Sequence, residues 1–110
     1  MQKSIYTGLA NGRWHEFSLS FQMGNIGSEI SRALSAKESG NTKRMNDAFD
    51  RALDLFDLTI SDPKHIGRLK EICRAREVVC DFFVGGNKYS SNGSSLNRYF
   101  TDFAMVSRKL

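Results

Sequence analysis

Apolar side chains recur at helical spacing over four separate stretches of this chain, and this period constrains the fold more than any other feature. The stretches predict helices over 18–37, 42–60, 63–84 and 94–107. Turn residues separate them: Ser39-Gly40-Asn41 after the first helix, and Asp62-Pro63, a cap residue followed by proline, before the third. Because no stretch alternates with a period of two, the sequence predicts no strand.

Four amphipathic helices with short connections favour an antiparallel, up-and-down four-helix bundle, so we predict an all-α protein. Residues 1–17 are rich in helix-breaking residues and are predicted to form an irregular N-terminal arm. Residues 85–95 are polar and glycine-rich, which predicts a flexible loop. A length of 110 residues is typical of one domain, so we expect a single helical domain over 1–110.

Composition and charge indicate a protein that works in water. The net charge is +4, 40% of the residues are hydrophobic, and no apolar run is long enough to cross a membrane. The first residues lack the apolar centre of a signal peptide, so we expect a cytoplasmic protein that does not contact membranes. Cys73 and Cys80 are seven residues apart on one predicted helix, too far for a disulfide, and are expected to be reduced.

Arg76 is the one charged residue near the centre of the apolar face of the third predicted helix. The helical period places these residues on that face: Ile66, Leu69, Ile72, Cys73, Val79, Cys80 and Phe83. An arginine does not lose its proton, and an unpaired buried charge is costly. We therefore expect a buried ion pair that fixes the helix register, with Glu29 or with an aspartate of the second helix, Asp54 or Asp57. Three alternatives stay open: Arg76 extends outward to solvent along its aliphatic stem, it anchors a small anionic ligand, or it pairs with a second subunit.

Metal, cofactor and catalytic sites have little support in the sequence. Asp47, Asp50, Asp54 and Asp57 follow one side of the second predicted helix. They lie opposite its apolar face and lack the inward Glu-x-x-His pattern of metal-binding bundles, so a solvated face is favoured. Neither histidine has a serine or cysteine at a recognisable catalytic spacing. We expect no metal, no cofactor and no enzymatic activity.

Small residues form a face on the first predicted helix beside its apolar stripe: Ser20, Gly24, Gly27, Ser28 and Ser31. Glycine inside a helix costs about 1 kcal/mol relative to alanine, and a close approach of another backbone is the natural compensation. The neighbour is either a helix of the same chain or the equivalent helix of a second copy. Our leading functional expectation is a protein-interaction or regulatory module that acts as a homodimer or binds another protein.

A cluster of basic residues at the start of the third predicted helix supports an alternative function. Lys64, Arg68, Lys70 and Arg74 would meet the phosphates of a ligand near a helix N-terminus. A solvated face is favoured over this function, because Glu71, Glu77 and Asp81 lie among the basic residues. The alternatives are therefore an RNA- or DNA-binding accessory protein and a binder of small anionic ligands around Arg76.

Three segments resemble a small family of bacterial and archaeal helical proteins of unknown function: 25–29, 57–63 and 76–83. The similarity extends over most of 14–107. The resemblance implies a helical fold, and it implies that the glycines of the first helix and Arg76 belong to a shared design. It implies no activity and assigns no functional residue.

Overall fold

The computed structural model of the protein describes the backbone of residues 13–109 and the side chains of residues 13–105. This range contains four α-helices and no strand, so the predicted all-α bundle is confirmed. The helices are α1 (Leu19–Glu38), α2 (Thr42–Ile60), α3 (Leu69–Phe83) and α4 (Gly93–Lys109). Of the predicted N-terminal arm, residues 1–12 lie outside the described residues, and Trp14–Glu16 forms a short 3-10 helix.

Helix α1 makes the broadest packing contacts, with α2 and with α4, while α3 packs on α2. Its boundaries follow from capping. The Ser18 hydroxyl accepts a hydrogen bond from the Phe21 N–H, and the chain leaves the helix through Gly40 at a φ of 75°. Glycine adopts this left-handed conformation without a Cβ clash, and Asn41 then caps α2 by accepting from the Arg44 N–H.

The core lies where the inward stripes of the four helices meet. Phe56 of α2 is fully buried, and its ring lies 6.0 Å from that of Phe100 of α4. The other residues at the centre are Met23, Ile26 and Ile30 of α1, Ala52 of α2, Ile72, Ala75 and Val79 of α3, and Leu96 of α4. Because these stripes repeat with the helical period, the apolar pattern alone places most of the core.

The third predicted helix differs from the structure at its start. Pro63–Arg68 is a 3-10 helix capped by the Asp62 carboxylate, and the α-helix begins only at Leu69. A 3-10 helix turns by about 120° per residue, so residues before Leu69 do not share the phase of those after it. Ile66 is therefore 80% exposed, although the helical period had placed it on the apolar face.

The predicted flexible loop is shorter than expected because α4 begins at Gly93. The first turn of α4 is closed by reciprocal hydrogen bonds: the Ser95 N–H donates to the Asn92 side chain, and the Asn92 N–H donates to the Ser95 hydroxyl. Upstream, the Asp81 carboxylate accepts from the N–H groups of Lys88 and Tyr89 at 2.8 and 3.0 Å. One carboxylate at the end of α3 therefore holds the middle of the loop.

Within the described residues no helix is long and apolar enough to cross a bilayer.

Candidate functional site

A groove between α3 and α4 brings together most of the basic cluster that the sequence singled out. Its volume is about 440 Å³, within the range of small-ligand sites. The 3-10 helix and α3 contribute one wall, and α4 contributes the other. The lining residues are Arg68, Lys70, Glu71 and Arg74 on the first wall, and Tyr99, Asp102 and Phe103 on the second. We call this the α3–α4 groove.

Aromatic rings form the α4 wall of the α3–α4 groove. Tyr99 and Phe103 are one helical turn apart, with ring centroids 6.4 Å apart in an edge-to-face arrangement. Behind them, the buried ring of Phe100 contacts Tyr99 edge-to-face at 5.6 Å. Burial raises the pKa of the Tyr99 hydroxyl, although nearby Arg74 acts in the opposite direction. The wall is thus apolar and anchored in the core, and its hydroxyl stays protonated at neutral pH.

Two arginines of the α3–α4 groove lie over aromatic faces. The guanidinium carbon of Arg68 is 5.6 Å from the centre of the Phe103 ring, and that of Arg74 is 5.9 Å from Tyr89. Both distances are within the range of cation–π attraction. Because the Asp81 carboxylate holds the backbone of Tyr89, the loop also helps to place Arg74.

The charges of the α3–α4 groove differ in how far they are already neutralised. Arg68 forms an ion pair with Glu71 at 2.5 Å, and Arg74 lies 3.7 Å from Glu77. By contrast, no other described side chain forms an ion pair or hydrogen bond with the side chains of Lys70 and Asp102. One cation and one carboxylate on opposite walls are therefore available to a ligand.

Lys64, the fourth residue of the predicted basic cluster, does not line this groove. Its ammonium donates to the Asp62 carboxylate at 2.5 Å and to the His15 carbonyl at 2.7 Å. The 3-10 geometry of Pro63–Arg68 turns Lys64 toward the Trp14–Glu16 segment instead. Lys64 is therefore separated from the other three residues of the predicted basic cluster.

Arg76 is half-buried rather than enclosed, which corrects the expectation from the apolar face. Its side chain is 35% exposed, and its Nε lies 3.2 Å from the carboxylate of Asp57, which is 63% exposed. The buried stripe of α3 is Ile72, Ala75 and Val79, and Arg76 flanks it. Two residues that had placed Arg76 at the centre, Ile66 and Cys73, are exposed in the structure. The predicted partner on the second helix is present, but the pair is not buried.

Glu29, like Asp62, is a buried acidic residue, and Arg76 does not form an ion pair with it. Its side chain is 10% exposed, and its carboxylate lies 3.1 Å from Arg51 of α2 and 3.2 Å from Arg32 of α1. Glu29 sits on the central helix α1, whereas Arg76 packs beside α2. The proposed grouping of Glu29 with Arg76 is therefore wrong. Asp54, the other aspartate of that grouping, is exposed on α2.

The aspartate row of α2 faces largely outward. Asp50, Asp54 and Asp57 are exposed, while Asp47 is half-buried and pairs with Lys43 at 3.0 Å. Among the residues that the structure describes, no three histidine, cysteine, aspartate or glutamate side chains converge as metal ligands.

The small-residue face of α1 divides into two parts. A Cβ at Gly27 would lie 3.2 Å from the Cβ of Phe100, so this glycine allows α4 to approach closely. A Cβ at Gly24 would meet nothing within 4 Å. Gly24, Ser28 and Ser31 line an open groove of about 580 Å³ between α1 and α4, in which the Ser31 hydroxyl donates to Asn97 at 2.9 Å. Ser20, half-buried near the start of α1, is not among the lining residues.

A buried polar network, which the sequence did not reveal, joins the N-terminal segment to the bundle. The Trp14 indole N–H donates to the Thr59 hydroxyl at 2.8 Å, and the Gln22 amide donates to the Trp14 carbonyl at 2.8 Å. The remaining Gln22 oxygen lies 2.6 Å from Nε2 of His65. Since that oxygen is an acceptor, His65 carries its proton on Nε2. A single glutamine on an apolar stripe gave no signal of this role.

Comparison of the chain with known proteins finds no matching family model, no matching curated protein and no matching solved structure.

Proposed function

We propose that this protein binds single-stranded nucleic acid in the α3–α4 groove. The observation that carries the proposal is the meeting of cationic side chains and anchored aromatic rings across one groove. Proteins that bind single strands combine these two elements: cations follow the phosphates, and aromatic faces stack on the bases. Lys70 and Arg74 lie one turn apart on one wall, while Tyr99 and Phe103 lie one turn apart on the other.

Binding should depend on both walls. We expect fluorescence anisotropy to detect short labelled single-stranded RNA or DNA at low ionic strength. Affinity should fall with salt, with a log–log slope of about −1.4, because Lys70 and Arg74 would each neutralise one phosphate and each phosphate contributes about 0.7. Lys70→Gln should reduce that slope by about 0.7. Tyr99→Leu, which keeps an apolar side chain but removes the ring, should weaken binding by about 1–3 kcal/mol.

Lys43→Gln provides the matched control for the charge change. Lys43 is a highly exposed lysine of α2 outside the α3–α4 groove, so its loss changes the net charge equally. Equal effects of Lys70→Gln and Lys43→Gln would indicate attraction to the whole molecule rather than to the groove. Absence of measurable binding at low ionic strength would exclude the proposed function.

A second candidate function is self-association through the groove between α1 and α4. Gly24 leaves open space on α1, and the exposed side chains of Phe21 and Met105 add apolar surface to these two helices. A second copy could place a helix against this small-residue surface, as the sequence led us to expect. Light scattering at micromolar concentration should then give the mass of a dimer, and Gly24→Leu should give a monomer. A monomeric wild-type protein would exclude this candidate.

A further inference from the structure

The α3–α4 groove contains a carboxylate where a purely electrostatic nucleic-acid site would have none. Asp102 lies on α4 three residues after Tyr99 and immediately before Phe103, so it borders the aromatic wall. A carboxylate repels phosphate, so its presence weakens non-specific attraction to the backbone of a strand. It accepts hydrogen bonds through two oxygens and donates none. Asp102 therefore favours a ligand that presents hydrogen-bond donors at the edge of the ring that stacks there.

The other carboxylate of the groove is already engaged. Glu71 pairs with Arg68 at 2.5 Å on the α3 wall. Asp102 has no such partner among the described side chains, and it is exposed at the mouth of the groove. It is therefore the acidic group that is available to read a base.

Resting on the proposed function, we infer that Asp102 selects guanine. The guanine ring stacks on the face of Tyr99, and its N1–H and N2–H groups donate to the two oxygens of Asp102. Guanine alone among the four bases presents two adjacent donors on this edge. Adenine and cytosine place an acceptor nitrogen beside their single amino group, and uracil places carbonyl oxygens on both sides of its N–H. These acceptors would face the carboxylate unfavourably.

The test compares uridine-rich strands that carry one central guanine, hypoxanthine, adenine or uracil. A bidentate pair to a base edge is worth about 1–3 kcal/mol, which corresponds to a preference of about fivefold to about 150-fold for guanine over uracil. Hypoxanthine keeps N1–H and lacks the amino group, so its strand should bind with intermediate affinity. Asp102→Ala should abolish the preference and leave binding of the all-uridine strand equal or tighter, because a negative charge has been removed.

Asp50→Ala is the matched control, since Asp50 is an exposed aspartate of α2 outside the groove. It should retain the full preference for guanine. Equal binding of all four strands by the wild type, or a preference that persists in Asp102→Ala, would overturn the inference while leaving the proposed function standing. If no strand binds at all, the proposed function fails, and this inference fails with it.

Discussion

Two arginine–carboxylate pairs have similar nitrogen–oxygen distances but differ in how far their side chains are buried. Arg51 and Glu29 are 3.1 Å apart with side chains 22% and 10% exposed, whereas Arg76 and Asp57 are 3.2 Å apart with side chains 35% and 63% exposed. Solvent screens the second pair and replaces its partners readily, so it stabilises the fold little. Glu29 has lost most of its hydration, so it depends on the groups that contact it.

Methionine substitutions of the two arginines should therefore differ in cost. Arg76→Met should change the free energy of unfolding by less than about 1 kcal/mol, because Asp57 remains in water. Arg51→Met should cost about 1–3 kcal/mol, because a buried carboxylate loses one of its partners. Urea denaturation at neutral pH measures both variants. A larger loss for Arg76→Met than for Arg51→Met would contradict this assignment of the buried charge.

At the scale of elements, the packing of α1 on α4 depends on one glycine. Gly27 brings the backbone of α1 against Phe100, whose ring reaches Phe56 in the core. At Gly24, less than one turn earlier, an added Cβ would meet no atom of the described residues within 4 Å. The two glycines therefore have different structural roles, although the sequence presents them as one small-residue face.

Substitution should separate these two roles. Gly24→Ala should raise the free energy of unfolding by about 0.5–1 kcal/mol, because alanine favours the helix and has room. Gly27→Leu should lower it by about 1–3 kcal/mol or more, because the added side chain overlaps Phe100. Thermal unfolding followed by circular dichroism measures both changes. Stabilisation by Gly27→Leu would show that α4 does not pack as closely as described.

The helical period predicted the helices and most of the core, because few secondary structures other than an amphipathic helix bury apolar side chains that repeat every 3.6 residues. The prediction from the helical period failed where the backbone is not α-helical. The 3-10 segment Pro63–Arg68 shifted the phase, which misplaced Ile66 and helped to centre the apolar face on Arg76. The apolar pattern also gave no indication that Ala75, a small residue, is fully buried. Only part of the α3–α4 groove was predicted from the sequence. Its basic residues were identified by their charge, but the position of Asp102 in the groove follows only from the packing, which places α4 across the groove from α3.

At the scale of the whole molecule, buried polar groups connect segments that are distant in sequence. His65, 4% exposed, contacts Gln22 of α1 and lies 3.6 Å from the carboxylate of Asp62. Gln22 in turn contacts Trp14, which contacts Thr59 of α2. Opening this network would leave several buried polar groups without hydrogen bonds. We therefore expect the Trp14–Glu16 segment, α1, α2 and the Pro63–Arg68 segment to unfold together.

The same network should make global stability depend on pH in two separate ranges. Burial lowers the pKa of His65 below its ordinary 6.5, although nearby Asp62 acts in the opposite direction. The unfolded chain therefore binds this proton more readily than the folded one, and stability is lost as the pH falls below about 6.5. Burial alone would raise the pKa of Asp62, but the hydrogen bonds and charge of Lys64 outweigh it and lower the pKa below 3.8. The stability that Asp62 contributes is therefore lost only in stronger acid, as the pH falls through that lowered pKa.

His65→Gln isolates the first of these ranges. Glutamine keeps an N–H donor for Gln22 but does not titrate, so the variant should lose less stability than the wild type between pH about 7.5 and about 5. Urea denaturation across this range gives the two slopes. Equal slopes in the wild type and His65→Gln would mean that the folded and unfolded chains bind this proton equally, which a neutral, enclosed imidazole does not allow.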